Sequence, residues 1–189
     1  MRLFIAVNFS DEVKSRILKI QDQLRCQASK GSFTRPENLH LTLAFLGETR
    51  EGELGTLSRI LDDIQWKQKL SETQQLPPPP FDILFNHTGC FTHSGKELWW
   101  IGAAPDCPGI PLLQVIHGQL VNRLANNGFA VDKRPFNAHI TLGREIKHTS
   151  PIVLEMAEVI TVRVDRVSLM KSEHIRGMLT YTELMGRSL

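Results

Sequence analysis

Cysteine is scarce in this chain of 189 residues. The three cysteines, Cys26, Cys90 and Cys107, are odd in number and include no Cys-x-x-Cys pair. This pattern argues against a fold held together by disulfides and predicts a reduced, cytoplasmic protein. The chain is also long enough to bury a core without cross-links or a structural metal.

Long apolar runs and a strong charge of one sign are lacking as well. No segment approaches the roughly 18 consecutive apolar residues of a membrane span. The apolar run in the opening "MRLFIAVNF" is too short for a signal peptide. The 22 basic and 20 acidic residues leave a net charge of +2, which argues against the strongly basic face of proteins that wrap long nucleic acids. A local anion-binding site is still compatible with this balance.

The hydrophobic pattern predicts strands that alternate with helices. A strand "RLFIAVNF" is followed by a helix capped by Ser10, the strand "NLHLTLAFLG" and a helix over residues 53–67. The later elements are a pair of strands, a helix over residues 111–127, the strand "HITLGR", and a final pair from "VITVRVDRVSLMKS" and "MLTYTELM". Short turns between the later strands favour antiparallel pairing. The fold class is therefore expected to be α+β.

Four consecutive prolines at residues 77–80 cannot be helical and lie near the middle of the chain. They are the best candidate for a boundary between lobes. Each half carries strands, a helix and one copy of a repeated motif. The sequence thus predicts two similar α+β lobes within a single bilobal domain over residues 1–189.

The repeated motif is nine residues long. "RPENLHLTL" begins at Arg35, and "RPFNAHITL" begins 99 positions later at Arg134, with six of nine residues in common. Alternate side chains of a strand share a face. His40 and Thr42 therefore point one way in the first copy, as His139 and Thr141 do in the second. The opposite face of each strand is apolar and is expected to join a core.

Two histidine–threonine pairs that face each other across a cleft suit acid–base chemistry at phosphorus. One imidazole takes a proton from the nucleophile while the other gives a proton to the leaving oxygen. The threonine hydroxyls can hold the non-bridging oxygens, where charge develops. The residues alone do not say which histidine is the acid, because the two copies are alike.

The segments "HLTLAFLG" and "HITLGR" resemble the paired HxTx motifs of the two-histidine (2H) phosphoesterases. Within this superfamily the sequence is most similar to the RNA 2′,3′-cyclic phosphodiesterase branch, also called 2′–5′ RNA ligases. The resemblance extends to "MRLFIAVNF", "GFAVDKRPFNAHITLGRE" and "YTEL". It implies a bilobal, pseudo-two-fold fold, with two antiparallel sheets that face a central cleft and helices outside. It also implies metal-independent opening of a terminal 2′,3′-cyclic phosphate to a 2′-phosphate, with no cofactor.

The resemblance further implies a role for each motif residue. His40 corresponds to the proton donor and His139 to the proton acceptor, while Thr42, Thr141 and Arg144 correspond to phosphate-binding residues. Strict alternation would place Arg144 opposite His139, so its role requires the strand to end or to bulge near Gly143. Phe45, at the corresponding end of the first strand, could stack on a base, but the same alternation predicts that it belongs to the core.

Other constellations give weaker hypotheses. His87, Cys90 and His93 are spaced three apart, but a tetrahedral zinc site needs another ligand and a strand would point His87 and Cys90 to opposite faces. "SGKE" fails the phosphate-loop pattern, since Glu97 stands where Ser or Thr is required.

Two other functions stay open beside the cyclic phosphodiesterase. One is a phosphodiesterase of 2′–5′ oligonucleotides or small cyclic nucleotides, and the other is an RNA-end-binding module without turnover. The expected partners are RNA termini, tRNA fragments among them, or oligonucleotides that carry a cyclic phosphate. The protein is expected to be a cytoplasmic monomer that does not associate with membranes.

Overall fold

The computed structural model describes residues 1–64, 80–132 and 134–189. Within these ranges the chain forms the helices α1 Asp11–Gln27, α2 Leu54–Asp62 and α3 Ile110–Asn126. The strands are β1 Arg2–Asn8, β2 Lys30–Phe33, β3 His40–Glu48, β4 Phe81–His93, β5 Lys96–Ala103, β6 His139–Lys147, β7 Ile160–Val164, β8 Arg166–Ile175 and β9 Met178–Ser188. Residues 77–79 of the proline run and the end of the second predicted helix lie outside the described residues.

The helices begin much as their sequences predict. The Ser10 hydroxyl accepts a hydrogen bond from the Val13 amide at 3.3 Å and so caps α1. Helix α3 carries Pro111 in its first turn, where a missing N–H has no intrahelical partner to lose. The apolar faces of both helices enter one core with the sheets. None of the three helices in the described ranges combines the length and the hydropathy that crossing a bilayer requires.

The strands form two sheets in which every pair of neighbours is antiparallel. The first sheet has the order β3-β1-β8-β9, and the second has the order β2-β6-β5-β4-β7. Strand β3 brings the first motif into the first sheet, and β6 brings the second motif into the second. The predicted α+β fold with two antiparallel sheets is confirmed.

The sheets do not coincide with the halves of the sequence. Strand β2 joins the second sheet although it precedes the proline run, and β8 and β9 join the first sheet from the end of the chain. The expectation that each half forms one lobe is therefore wrong. Two local features make this exchange of strands between the sheets hard to predict from the sequence. Strand β2 contains the weak strand formers Gly31 and Ser32, and only Asp165 separates β7 from β8, which enter different sheets.

The duplication is nevertheless present in three dimensions as a repeated strand–helix–strand unit. The first copy is β1, α1 and β3, and the second is β5, α3 and β6. In each copy the motif strand pairs antiparallel with the strand that precedes the helix. The cross-strand partners match: Asn8 faces His40 and Ala6 faces Thr42, while Gly102 faces His139 and Trp100 faces Thr141.

Each motif strand contains a β-bulge at the leucine that follows the threonine. Leu43 is the extra residue in β3, and Leu142 is the extra residue in β6. A bulge shifts the alternation of side chains by one residue. The residue two positions after each bulge, Phe45 or Arg144, is therefore exposed rather than buried.

Asn38 links the two edges of the first sheet. Its Nδ2 donates to the Leu179 carbonyl at 2.9 Å, and its Oδ1 accepts from the Tyr181 amide at 3.3 Å. Asn38 lies just before β3, while Leu179 and Tyr181 belong to β9 at the opposite edge. The sheet must curl strongly for these contacts to form, and the buried amide holds it in that shape.

We predict that Asn38→Ala lowers the free energy of unfolding by about 2–3 kcal/mol, because it leaves the Leu179 carbonyl and the Tyr181 amide without their partner. The matched control is Asn137→Ala, at the same position of the second motif, where the side chain is exposed. That substitution should cost less than about 0.5 kcal/mol. Urea denaturation measures both, and equal losses would contradict the linking role of Asn38.

Candidate functional site

Both motif histidines are fixed by the same local hydrogen bond. The Nδ1–H of His40 donates to the Asn38 carbonyl at 2.7 Å, and that of His139 donates to the Asn137 carbonyl at 2.8 Å. A carbonyl can only accept, so Nδ1 must carry the hydrogen. Each neutral ring therefore presents an unprotonated Nε2 on the side away from its own backbone.

The two histidines differ at Nε2. In the neutral ring of His40 this nitrogen accepts a hydrogen bond from the Thr42 hydroxyl at 2.8 Å. Within the described residues, His139 makes no corresponding bond to Thr141. The Nε2 of His139 is therefore the more available proton acceptor of the two.

Aromatic rings pack against each imidazole. The ring centroid of His40 lies 4.8 Å from that of Phe4 and 5.3 Å from that of Tyr181. The ring of His139 lies 5.3 Å from Phe91 and 6.4 Å from Trp100. The motif pattern gave no sign of these four residues, since they come from strands that are distant in sequence. These rings restrict the orientation of each imidazole and remove water from its sides.

The site faces a cleft of about 730 Å³ between the two sheets. Its lining includes Thr42 and Phe45 from the first sheet and His139, Thr141 and Arg144 from the second. His40 is connected to this lining by its hydrogen bond to Thr42. The sequence-predicted residues are thus brought together from both motifs.

Arg144 reaches this cleft because of the bulge at Leu142, as its predicted role required. Its guanidinium has no carboxylate partner in the described parts of the chain. By contrast, Arg134 pairs with Asp132, and Lys96 pairs with Glu145 at 2.6 Å. Arg144 therefore keeps its positive charge available beside the two histidines.

Burial and Arg144 make both imidazoles poor bases in the free protein. Burial is the main cause that lowers the pKa of His40 to about 4, with the charges of Arg144 and His139 acting in the same direction against the Asn38 carbonyl. Burial also lowers the pKa of His139, helped by Arg144 and opposed by the Asn137 carbonyl. Both rings are therefore mainly neutral near pH 7 in the free protein.

The prediction that Phe45 belongs to the core is wrong. Its side chain is 54% exposed and lines the cleft. The cause is the bulge at Leu43, which turns Phe45 onto the same face as His40 and Thr42. Phe45 and Arg144 therefore occupy equivalent positions of the two copies, and this pair breaks the symmetry of the cleft.

The alternative metal site at His87, Cys90 and His93 does not form. His87 packs its ring edge-on to Trp100 at 5.5 Å, and Cys90 lies beside the Thr92 hydroxyl. The residues for which the structure gives positions contain no group of three or more potential ligands among His, Cys, Asp and Glu.

The depressed pKa of His40 predicts a pH dependence of stability. Between pH 6.5 and about 4 the unfolded chain binds a proton at residue 40 that the folded chain excludes. The free energy of unfolding should therefore fall as the pH falls through this window. In His40→Gln this contribution should be absent, while His174→Gln, at an exposed position, should behave like the wild type. Urea denaturation across the window measures the three slopes, and equal slopes for wild type and His40→Gln would refute the effect.

Comparison with known proteins agrees with this geometry. A family model described as the 2′-5′ RNA ligase superfamily matches residues 9–176. An RNA 2′,3′-cyclic phosphodiesterase of Archaeoglobus fulgidus is 31% identical over 157 residues, which cover 82% of this chain and 78% of the relative. A protein of the same name from Thermus thermophilus is 29% identical over 192 aligned positions, covering 100% and 90%.

A solved structure shows the same fold. The crystal structure of E. coli LigT complexed with 3′-AMP has a TM-score of 0.81 and 26% identity, and the match covers 100% of this chain and 97% of that one. The family match spans both motif strands and all of the second sheet. The resemblance seen in the motifs is thus confirmed, and the chain belongs to the 2′-5′ RNA ligase superfamily.

Proposed function

We propose that this protein hydrolyses the terminal 2′,3′-cyclic phosphate of an RNA to a 2′-phosphate. The observation that carries the proposal is that both motifs meet at one cleft. Thr42 from the first sheet and His139 and Thr141 from the second line it together with Arg144, and His40 is hydrogen-bonded to Thr42. Relatives named RNA 2′,3′-cyclic phosphodiesterase, at 24–31% identity, support the same reaction. The complex of the similar LigT structure with 3′-AMP supports a nucleotide as the ligand.

In the proposed reaction water attacks the phosphorus and the bond from phosphorus to the 3′ oxygen breaks. His139 takes the proton of the water through Nε2, and His40 gives a proton to the departing 3′ oxygen. The products are a 2′-phosphate and a free 3′-hydroxyl. The hydroxyls of Thr42 and Thr141 and the guanidinium of Arg144 hold the non-bridging oxygens, where negative charge increases.

The charge state of His40 follows from substrate binding. A cyclic phosphate carries one negative charge, which offsets Arg144 and raises the pKa of a neighbouring imidazole. The substrate therefore helps to supply the proton that His40 needs as an acid. When the ring is protonated, Nε2–H can no longer accept from Thr42, and the threonine hydroxyl becomes free to donate to the phosphate.

The same site can also ligate. If an RNA 5′-hydroxyl takes the place of water, its oxygen attacks the phosphorus of the cyclic phosphate, the bond from phosphorus to the 3′ oxygen breaks, and a 2′–5′ phosphodiester forms; His139 takes the proton of the 5′-hydroxyl and His40 gives a proton to the 3′ oxygen. This is how hydrolysis and 2′–5′ ligation use one set of residues. A phosphodiesterase of 2′–5′ oligonucleotides or small cyclic nucleotides would use the same arrangement, whereas an RNA-end-binding module would not need two opposed imidazoles.

The proposed setting is a monomeric bilobal domain, residues 1–189, in the cytoplasm. One chain supplies both motifs, so a second copy is not needed to complete the site. All three cysteines are free, which suits a reducing compartment. We assign no metal or cofactor to the reaction, since the acid, the base and the anion-binding groups are all side chains.

The proposed activity is tested with a short RNA that ends in a 2′,3′-cyclic phosphate. We expect turnover in excess EDTA and a product with a 2′-phosphate, which resists a 3′-specific phosphatase. Loss of activity in EDTA that zinc restores would show that a metal carries the chemistry. A 3′-phosphate product would show that the substrate lies in the opposite direction between the two histidines.

His40→Ala and His139→Ala should each lower turnover on the order of 10²–10⁴-fold, because each removes one proton transfer. The double variant should lose far less than the product of the two factors, since both residues serve one transition state. His174→Ala, on an exposed part of β8, is the control. Near-normal turnover of either single variant would show that the two motifs do not form one site.

Arg144→Gln should lower kcat/KM by about 10- to 100-fold, because it removes a charged donor to the phosphate. It should also move the pH profile of kcat/KM to higher pH, since Arg144 lowers the pKa of both histidines. Arg134→Gln is the matched control, because Arg134 lines the same cleft but is paired with Asp132. A profile that stays in place or moves to lower pH would contradict the assignment.

A further inference from the structure

The cleft face of the first sheet carries a row of polar side chains that the proposed reaction does not use. Arg2 of β1 faces Ser172 of β8, and Ser172 faces Tyr181 of β9. The three residues lie side by side across adjacent strands, so the row spans about 10 Å. They share the face of Phe4, which packs against both His40 and Tyr181. We call these three residues the Arg2 row.

The Arg2 row consists of hydrogen-bond donors. In the described ranges, Arg2 makes no ion pair and the hydroxyls of Ser172 and Tyr181 make no hydrogen bond. The carboxylate opposite Arg2 on β3, that of Glu48, pairs instead with the amino group of Met1 at 3.5 Å. A guanidinium and two hydroxyls in line can all donate to phosphate oxygens.

Tyr181 connects this row to the reacting centre. Its ring lies 5.3 Å from the ring of His40, and its amide is held by Asn38, whose carbonyl also orients His40. Burial raises the pKa of the Tyr181 phenol, and the charges of Arg144 and Arg2 both act against that rise. The row therefore continues from the phosphate site out along the first sheet.

Among the residues with described positions, the second sheet offers no comparable path. There the cations that line its part of the cleft, apart from Arg144, are neutralised by neighbours: Arg134 by Asp132 and Lys96 by Glu145. A strand that carries one negative charge per nucleotide is attracted by an unpaired cation more than by an ion pair.

We infer that the Arg2 row binds an internal phosphodiester of the RNA strand next to its terminal nucleotide, so that the strand leaves the cleft over the first sheet. This inference rests on the proposed function. Binding at the Arg2 row makes the enzyme selective for oligonucleotides over mononucleosides that carry the same cyclic phosphate. It also sets the direction in which the RNA strand lies.

The test compares two substrates, adenosine 2′,3′-cyclic phosphate and a trinucleotide that ends in a 2′,3′-cyclic phosphate. Only the trinucleotide has internal phosphodiesters. Arg2→Gln should raise KM for the trinucleotide about tenfold with little change in kcat, and should leave KM for the mononucleoside unchanged. It should also flatten the plot of log(kcat/KM) for the trinucleotide against log salt by about 0.7, as for one lost contact to a single strand.

Ser172→Ala should raise KM for the trinucleotide about threefold. Tyr181→Phe should raise KM for the trinucleotide more than for the mononucleoside. Arg59→Gln is the matched control, because Arg59 is exposed on α2 and bonds within its own helix. Equal effects of Arg2→Gln on both substrates, or none on either, would overturn the inference. So would a rise in KM for the trinucleotide in Arg134→Gln or Lys96→Gln but not in Arg2→Gln. If the wild type turned over neither substrate, the proposed function itself would fail.

Discussion

Each motif strand must bury one face in the core and leave the other face polar, and the site depends on this constraint. Leu41 and Leu43 in β3, and Ile140 and Leu142 in β6, are buried. Their burial fixes the register of each strand, since a slip of one residue would turn the histidines into the core. The bulge that follows each threonine then changes the alternation without moving the histidine. It is this shift that brings Arg144 beside both imidazoles.

The same arrangement explains why the histidines are held neutral in the free protein. The sheets bury the rings among aromatic side chains, and the backbone carbonyls of Asn38 and Asn137 fix which nitrogen carries the hydrogen. Burial and Arg144 together lower the pKa of both rings. A bound phosphate anion offsets the charge of Arg144 and so raises the pKa of both rings toward its ordinary value. The protonation of the histidines therefore depends on the charge of the ligand as well as on the pH.

The sequence predicted the directions of His40, Thr42, His139 and Thr141 because period-two alternation holds up to the threonine in each strand. It failed at Phe45, because nothing in a local pattern shows that a leucine will bulge. It missed β2, whose four residues are weak strand formers, and it assigned the lobes to sequence halves because strand exchange between sheets is a non-local choice. The contact of Tyr181 with His40 depends on the curl of the first sheet, and the lowered pKa of His40 depends on burial. Neither can be read from spacing.

The central claim is that the two histidines act on one phosphate from opposite sheets. A crystal structure with a nucleoside 2′-phosphate bound in the cleft tests it most directly. The account predicts that Nε2 of His40 and Nε2 of His139 each lie about 2.7–3.2 Å from an oxygen of the nucleotide's phosphate or of its adjoining 3′-hydroxyl, with Arg144 and both threonines on the remaining oxygens. A phosphate bound by one motif alone, with the other histidine out of hydrogen-bond reach, would contradict it.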